Sequence, residues 1–167
     1  MILAIDVHYK ETTAKAVGAL LQNWDDAVAQ QYIIKYINEV EKYVPGSFYK
    51  RELPCILEIF KDIDLHSLRC IIIDGFVVLD DSRKPGLGAY VYESIQSQVP
   101  VIGVAKTNFH QNEQHEIPVL RGESTRPLYV TAIGTDLQQA AEHIKNMHGE
   151  FRLPTVLKEM DRITKEP

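Results

Sequence analysis

Two aspartates each close an apolar run: Asp6 ends ILAI and Asp74 ends CIII. A carboxylate at the end of a buried strand is costly unless something offsets its charge. Taken singly, each also fits an ordinary role as a strand-end cap or turn residue. At matching ends of neighbouring strands they would be two like charges in one site, which a hard divalent cation relieves best. Mg²⁺ suits such a pair because it prefers oxygen ligands, keeps several waters and works alongside a substrate phosphate, and Mn²⁺ accepts the same donors. Glu52 is the third acid, readable either as a helix-start glutamate favoured by the helix dipole or as a further metal ligand or base. Lys106 follows the apolar run VIGVA. Such a lysine is commonly solvated, but beside carboxylates it can orient a water or stabilise charge on a phosphate. Gly75, directly after Asp74, permits a tight turn or the close approach of a ligand. His8, two residues past Asp6 on the same strand face, is a candidate neighbour of the site.

Positioning these side chains requires a sheet. Residues 2–9, 12–24 and 29–37 are strand-like with short connections, which predicts an antiparallel meander. Leu53, Ile56, Leu57 and Phe60 then recur at helical spacing, with the helix opening at Arg51–Glu52. LRCIIIDG and PVIGVAK are nearly continuous apolar runs, the pattern of strands covered on both faces. RPLYVTAI reads as one more such strand. GLGAYVYESIQSQ, TDLQQAAEHIKNMH (with Thr135 as N-cap) and LPTVLKEMDRIT read as helices. Three antiparallel strands followed by alternating helices and parallel strands make a mixed α/β sheet with helices on both faces. If the first strand and LRCIIIDG are parallel neighbours, Asp6 and Asp74 open into one crevice at their carboxyl ends, where such sheets bind ligands.

The chain of 167 residues is expected to form a single domain over 1–167. Its 45% hydrophobic and 25% charged residues exclude a disordered or collagenous chain. No apolar run is long enough to suggest a membrane span, and the opening MILAIDVHYKE has no basic n-region, so a cytoplasmic location is expected. Cys55 and Cys70 lack metal-ligand or CxxC spacing and read as buried free thiols. With 18 basic against 23 acidic residues, the formal charge of −5 disfavours a polyanion binder that relies on bulk charge. A local cationic strip or a bound cation can still reverse the field where a substrate sits. Lys50, Arg51, Arg83, Lys84, Lys106, Arg121 and Arg126 are the candidates for that strip.

Several blocks together resemble the endonuclease V family, repair nucleases that recognise deaminated bases. YVPGSFYKRELP is similar to the family's aromatic-aliphatic-Pro-Gly wedge followed by an Arg-Glu pair. IDVHY and IIIDGF resemble its two aspartate motifs, VPVIGVAKTNF its Ile-Gly-Val-Ala-Lys block, and FRLPTVLKEMDR its C-terminal Arg-Leu-Pro signature. These occur in family order across nearly the whole chain. The resemblance implies a ribonuclease H-like fold, with Asp6, Glu52 and Asp74 holding Mg²⁺ and Lys106 assisting at the scissile phosphate. It also implies that Tyr43, Val44 and Pro45, with Gly46, wedge between strands, and that Gly75, the segment around Phe48 and the backbone after Lys106 line a pocket for a flipped base. Extrusion of the base is required for recognition inside a duplex, and an apolar wedge fills the gap left in the stack. The implied reaction is metal-assisted hydrolysis of a phosphodiester in DNA or RNA near hypoxanthine, by a protein expected to act as a monomer.

The chain also departs from the family pattern. After Asp74-Gly75 it reads FVVLDDSRKPGLG, with Phe76 and Asp80 where the family has histidines, so a metal-side histidine is expected to be absent. It is shorter than the usual member, lacking the helix before the first strand and trimming the segment after Lys106. The altered stretch Phe76–Pro85 and the acidic net charge favour an alternative: a protein of the same fold that binds nucleic acid or a modified nucleotide with weak or no cleavage. An unrelated domain of this fold, with the acids as turn and cap residues, is the third reading.

Overall fold

The computed structural model describes residues 1–38, 40, 42, 44–45, 49–108 and 111–167. Its centre is β1 (Ile2–Lys10), whose first five residues are all buried. The tight turn after Lys10 sends the chain back as β2 (Thr13–Leu21), and β3 (Gln31–Ile37) completes the antiparallel meander. Helix α1 (Tyr49–Phe60) then crosses the sheet and leads into β4 (Cys70–Asp74), which pairs parallel with β1. Helix α2 (Leu87–Ser94) precedes β5 (Val101–Ala105), parallel to β4. Short β6 (Ile117–Val119), β7 (Leu128–Ile133), α3 (Leu137–Lys145) and α4 (Thr155–Lys165) follow. The strand order is β3-β2-β1-β4-β5-β7-β6.

Alternation along the central strands divides the core into two layers. Leu3, Ile5, Ile71 and Ile73 pack with Cys55, Ile56 and Ile59 of α1 and with Leu87 and Val91 of α2. Ile2, Ala4, Ile72, Ile102 and Val104 pack on the opposite face with Ala140 and Ile144 of α3 and Leu157 and Met160 of α4. The expected mixed α/β sheet with helices on both faces is thus observed, and both cysteines are buried free thiols.

Three expectations need correction. The strand in RPLYVTAI is antiparallel to β5, not parallel. A parallel return needs a crossover, usually helical, and no helix lies between Ala105 and Leu128 among the described residues. Instead the chain makes the edge strand β6, absent from the sequence reading because Pro118 stands at its centre. The third helix is capped by Asp136, whose carboxylate accepts from the Gln139 N–H at 3.0 Å, rather than by Thr135. Helix α1 begins at Tyr49, two residues before the expected opening.

Candidate active site

Parallel pairing of β1 with β4 ends at Ile5 opposite Ile73, so Asp6 and Asp74 follow side by side. Asp74 ends β4, but Asp6 is not at the end of its strand as expected, because β1 runs on to Lys10 through its antiparallel pairing with β2, where Asp6 faces Val17. Asp74 in turn pairs with Val104, which puts Lys106 just beyond the next strand end. All three continue rows that face α4, and they line one cleft with Asp161 under an apolar wall of Leu153, Leu157 and Met160. The Lys106 ammonium lies 4.0 Å from the Asp161 carboxylate, which also accepts from Lys165 at 3.0 Å.

The backbone exit from β4 depends on two glycines. Gly75 adopts φ +131°, a region that disfavours side chains, and its N–H donates to the Val104 carbonyl at 3.1 Å. Gly103, on β5, lies beneath this turn: a Cβ there would stand 2.5 Å from the Gly75 oxygen and 2.7 Å from the Thr131 hydroxyl. That hydroxyl accepts from the buried Val77 N–H at 2.8 Å. The IGVA run therefore carries glycine where the chain after Asp74 folds over it.

Burial is the main electrostatic influence at the site. It pushes the Asp6 carboxyl up to about 7, with repulsion from Asp74 and Asp161 adding and the Lys106 charge opposing. Glu52, at the start of α1 on the other layer, is pushed up to about 8 by burial and then by Asp74 and Asp6, which brings the third expected acid into the same field. Asp74 is also raised, by burial first, with Lys106 opposing. Its side chain reaches solvent at the mouth of the cleft although protein crowds it, so water screens part of that effect. Burial acts to raise Asp161 as well, but the Lys165 hydrogen bond and the Lys106 and Lys165 charges outweigh it and the carboxyl ends below its usual value. Asp6 thus shares one electrostatic field with both Asp74 and Asp161.

This donor set is made of carboxylate oxygens, the chemistry of a hard divalent cation rather than of a thiolate or imidazole metal. Among the described residues, no group of three or more His, Cys, Asp or Glu side chains is set to hold a metal ion as it stands. The acids fit such an ion in the type of their donor atoms and in the mutual repulsion of Asp6 and Asp74, which a cation would relieve.

The remaining candidates are distributed more widely. Val44 and Pro45 are exposed ahead of α1, as a wedge requires, whereas Tyr43, Gly46 and Phe48 lie outside the described residues. Gly75 is half-buried beside Asp74. His8 is exposed and lines a neighbouring cleft with Lys15, Thr164 and Lys165 instead of the carboxylate cleft. Asp80 accepts from the Ser82 N–H at 3.0 Å and the Ser82 hydroxyl at 2.7 Å, and Asp81 accepts from the Glu113 and Gln114 N–H groups at 2.7 and 2.9 Å. Phe76 is buried. The altered stretch is thus tied to itself and to the segment after Lys106. Sequence reasoning missed Asp161. Its signal is positional: Leu157 and Met160 of α4 are buried, and an acid at 161 sits on the border of that apolar face.

The Endonuclease V family model matches residues 1–162. The chain belongs to the Endonuclease V family. Curated endonuclease V proteins of Saccharolobus islandicus and Saccharolobus solfataricus are each 29% identical over 176 residues, spanning 99% of this chain and 81% of theirs. Human ENDOV shares the fold, with TM-score 0.76 at 19% identity over 98% of this chain and 82% of the human one. So does Ciona intestinalis endonuclease V, solved with a 23mer DNA containing an inosine followed by a ribo-adenosine, at TM-score 0.73 and 15% identity over 98% of this chain and 83% of that one. The ribonuclease H-like architecture expected of an endonuclease V is therefore present, in an endonuclease whose acids and lysine occupy one edge of its sheet.

Proposed function

We propose that the chain is a Mg²⁺-dependent endonuclease that hydrolyses a phosphodiester near a deaminated base, hypoxanthine or inosine, in nucleic acid, as a DNA repair enzyme does. The observation that carries this reading is the carboxylate set of Asp6, Asp74 and Asp161 beside Lys106 at the carboxyl edge of the sheet. Asp6 and Asp74 would hold Mg²⁺ or Mn²⁺, with Glu52 and Asp161 as further oxygen donors. Such an ion, when bound, stabilises charge on phosphate oxygens and lowers the pKa of water.

The protein side chains account for the rest. Glu52, in its ionised form, would serve as the base for an attacking water. In the hydrolysis a water oxygen bonds to phosphorus, one ester P–O bond breaks, and the departing oxygen takes a proton. Lys106 supplies positive charge where the phosphate gains negative charge. Val44 and Pro45, with Tyr43 and Gly46, would enter the gap left by a flipped base, whose pocket would be walled by Gly75, Phe48 and the backbone after Lys106. The partner is then a nucleic acid, met by a monomer. No helix among the described residues is long and apolar enough to cross a membrane.

One observation favours the alternative of a binding protein with weak or no cleavage: no described carboxylate group is already set to hold a metal. The two readings separate in a nicking assay with Mg²⁺ on labelled inosine-containing and adenosine-containing strands, DNA and RNA in parallel. Inosine-dependent nicking supports the endonuclease. Tight binding of inosine strands without a nick supports the alternative, and cleavage indifferent to inosine removes the deaminated-base reading.

A further inference from the structure

Adjoining the carboxylate cleft through Lys106, which lines both, is a second cleft of about 270 Å³, lined by Thr107, Asn108, Thr125, Arg126 and Arg152 with Tyr129 at its wall. Its character is opposite to that of the first. Lys106, Arg126 and Arg152 are its charged lining residues, no carboxylate is among them, and the rest of the polar lining is hydroxyls and one amide. In a chain of net charge −5 such a concentration of positive charge is unusual, and it adjoins the acidic site through a residue common to both.

The cleft is a built feature. Arg152 donates from Nη2 to the Lys106 carbonyl and to the Pro127 carbonyl at 2.8 Å, and from Nε to the Arg126 carbonyl at 3.1 Å. One guanidinium thereby fixes the backbone after β5, the turn before β7 and the chain leading into α4. Its charge meets backbone dipoles only in these contacts, so its field is available to the cleft. The Ser124 hydroxyl accepts from the Arg126 N–H at 3.2 Å and donates to the Arg126 carbonyl, holding the turn that presents this residue. The Arg126 side chain itself is exposed. A planar guanidinium at the rim of a hydroxyl-rich cationic cleft matches the geometry of a phosphate diester.

We infer that this cleft is a second phosphate subsite: it binds a backbone phosphodiester of the substrate strand that flanks the one cleaved, through Arg126 and the polar groups at Thr107, Asn108 and Thr125. The inference rests on the nuclease reading for the identity of its ligand. A strand that places one phosphate against the carboxylate cleft passes Lys106 and meets positive charge in the adjoining cleft. The acidic cleft alone repels phosphates, so the cationic one supplies grip and register while the other supplies chemistry.

The test is a double-mutant cycle on strand binding. Equilibrium binding of a short inosine-containing single strand is measured by fluorescence anisotropy for the intact protein, Arg126→Gln and Arg126→Lys, across a salt series. The strands carry either natural linkages or a single neutral methylphosphonate placed in turn at each linkage near the lesion. Arg126→Gln is expected to weaken binding about 5- to 10-fold and to reduce the slope of log K against log salt by about 0.7, the value for one phosphate contact on a single strand. Arg126→Lys should restore part of the affinity. At one linkage the methylphosphonate should weaken binding by the intact protein and cause no further loss in Arg126→Gln. Unchanged affinity and slope in Arg126→Gln, or losses that simply add at every linkage, would overturn the subsite. Nicking is scored separately: an intact protein that binds with the expected non-additivity but never nicks sinks the nuclease reading and leaves the subsite standing. Failure to bind any strand overturns both.

Discussion

At the scale of single residues, the protein concentrates acids that its own burial disfavours in the ionised state. Asp6 moves from 3.8 to about 7 and Glu52 from 4.5 to about 8 on folding. Both groups therefore hold protons more tightly folded than unfolded. Their contribution to stability is fully present below the unfolded values and is lost as pH rises through the folded ones. Without divalent cation, the melting temperature of Asp6→Asn relative to the intact protein is expected to climb between about pH 4 and pH 8, because the amide has no charge to bury. Adding Mg²⁺ at pH 8 should raise the melting temperature of the intact protein and leave Asp6→Asn nearly unmoved. A flat difference across that range would mean that Asp6 is not held in the repelling cluster. Asp6 and Asp74 were legible in sequence because an acid closing an apolar run is a local anomaly. Asp161 was not, since an acid in an amphipathic helix has an ordinary solvated role until the helix is docked, and docking is a tertiary fact.

At the scale of elements, the site depends on how α4 is seated. Two buried cations hold its ends. Lys15, on β2, donates to the carbonyls of Ile163 at 2.6 Å and Glu166 at 3.1 Å, capping the helix C-terminus where positive charge is favoured. Arg121 is buried and donates to carbonyls before the helix, including those of Met147 at 2.6 Å and Phe151 at 2.6 Å. Arg121→Met would leave those carbonyls without donors and should cost about 2–4 kcal/mol, read as a lower urea midpoint, together with a loss of nicking as Asp161 loses its frame. Gly103→Ala forces a methyl against the Gly75 carbonyl and should cost about 1–3 kcal/mol in the same measurement, whereas Gly18→Ala, which meets side-chain methyls of Ile59 and Leu3 at 3.0 and 3.1 Å rather than backbone, should cost less. The meander, the buried parallel strands and the positions of all four helices could be read from the sequence pattern. The direction of β7 could not, because it follows from the lack of a crossover helix among the described residues between Ala105 and Leu128 rather than from anything in RPLYVTAI itself.

At the scale of the whole molecule, the net charge of −5 is distributed as an acidic cleft flanked by cations rather than as a uniform field. Of the basic residues singled out in the sequence, Arg121 is withdrawn into the interior and Arg51 lies over the Tyr9 ring at 3.6 Å. Lys50, Arg83, Lys84 and Arg126 remain exposed. So short a strip makes few phosphate contacts, and affinity for an inosine strand should fall only about tenfold between ~50 and ~200 mM salt, far less than for a broadly basic protein. A fall of a thousandfold would point to a much larger cationic surface. The central claim, that the acids at the carboxyl edge of the sheet carry out hydrolysis, is tested most directly by single-turnover nicking of an inosine-containing strand with saturating protein and Mg²⁺. Asp74→Asn is predicted to lower the rate at least ~1,000-fold while strand binding changes only a few-fold, because the acid acts on the reaction and not on the grip. Nicking by Asp74→Asn at the rate of the intact protein would contradict the account.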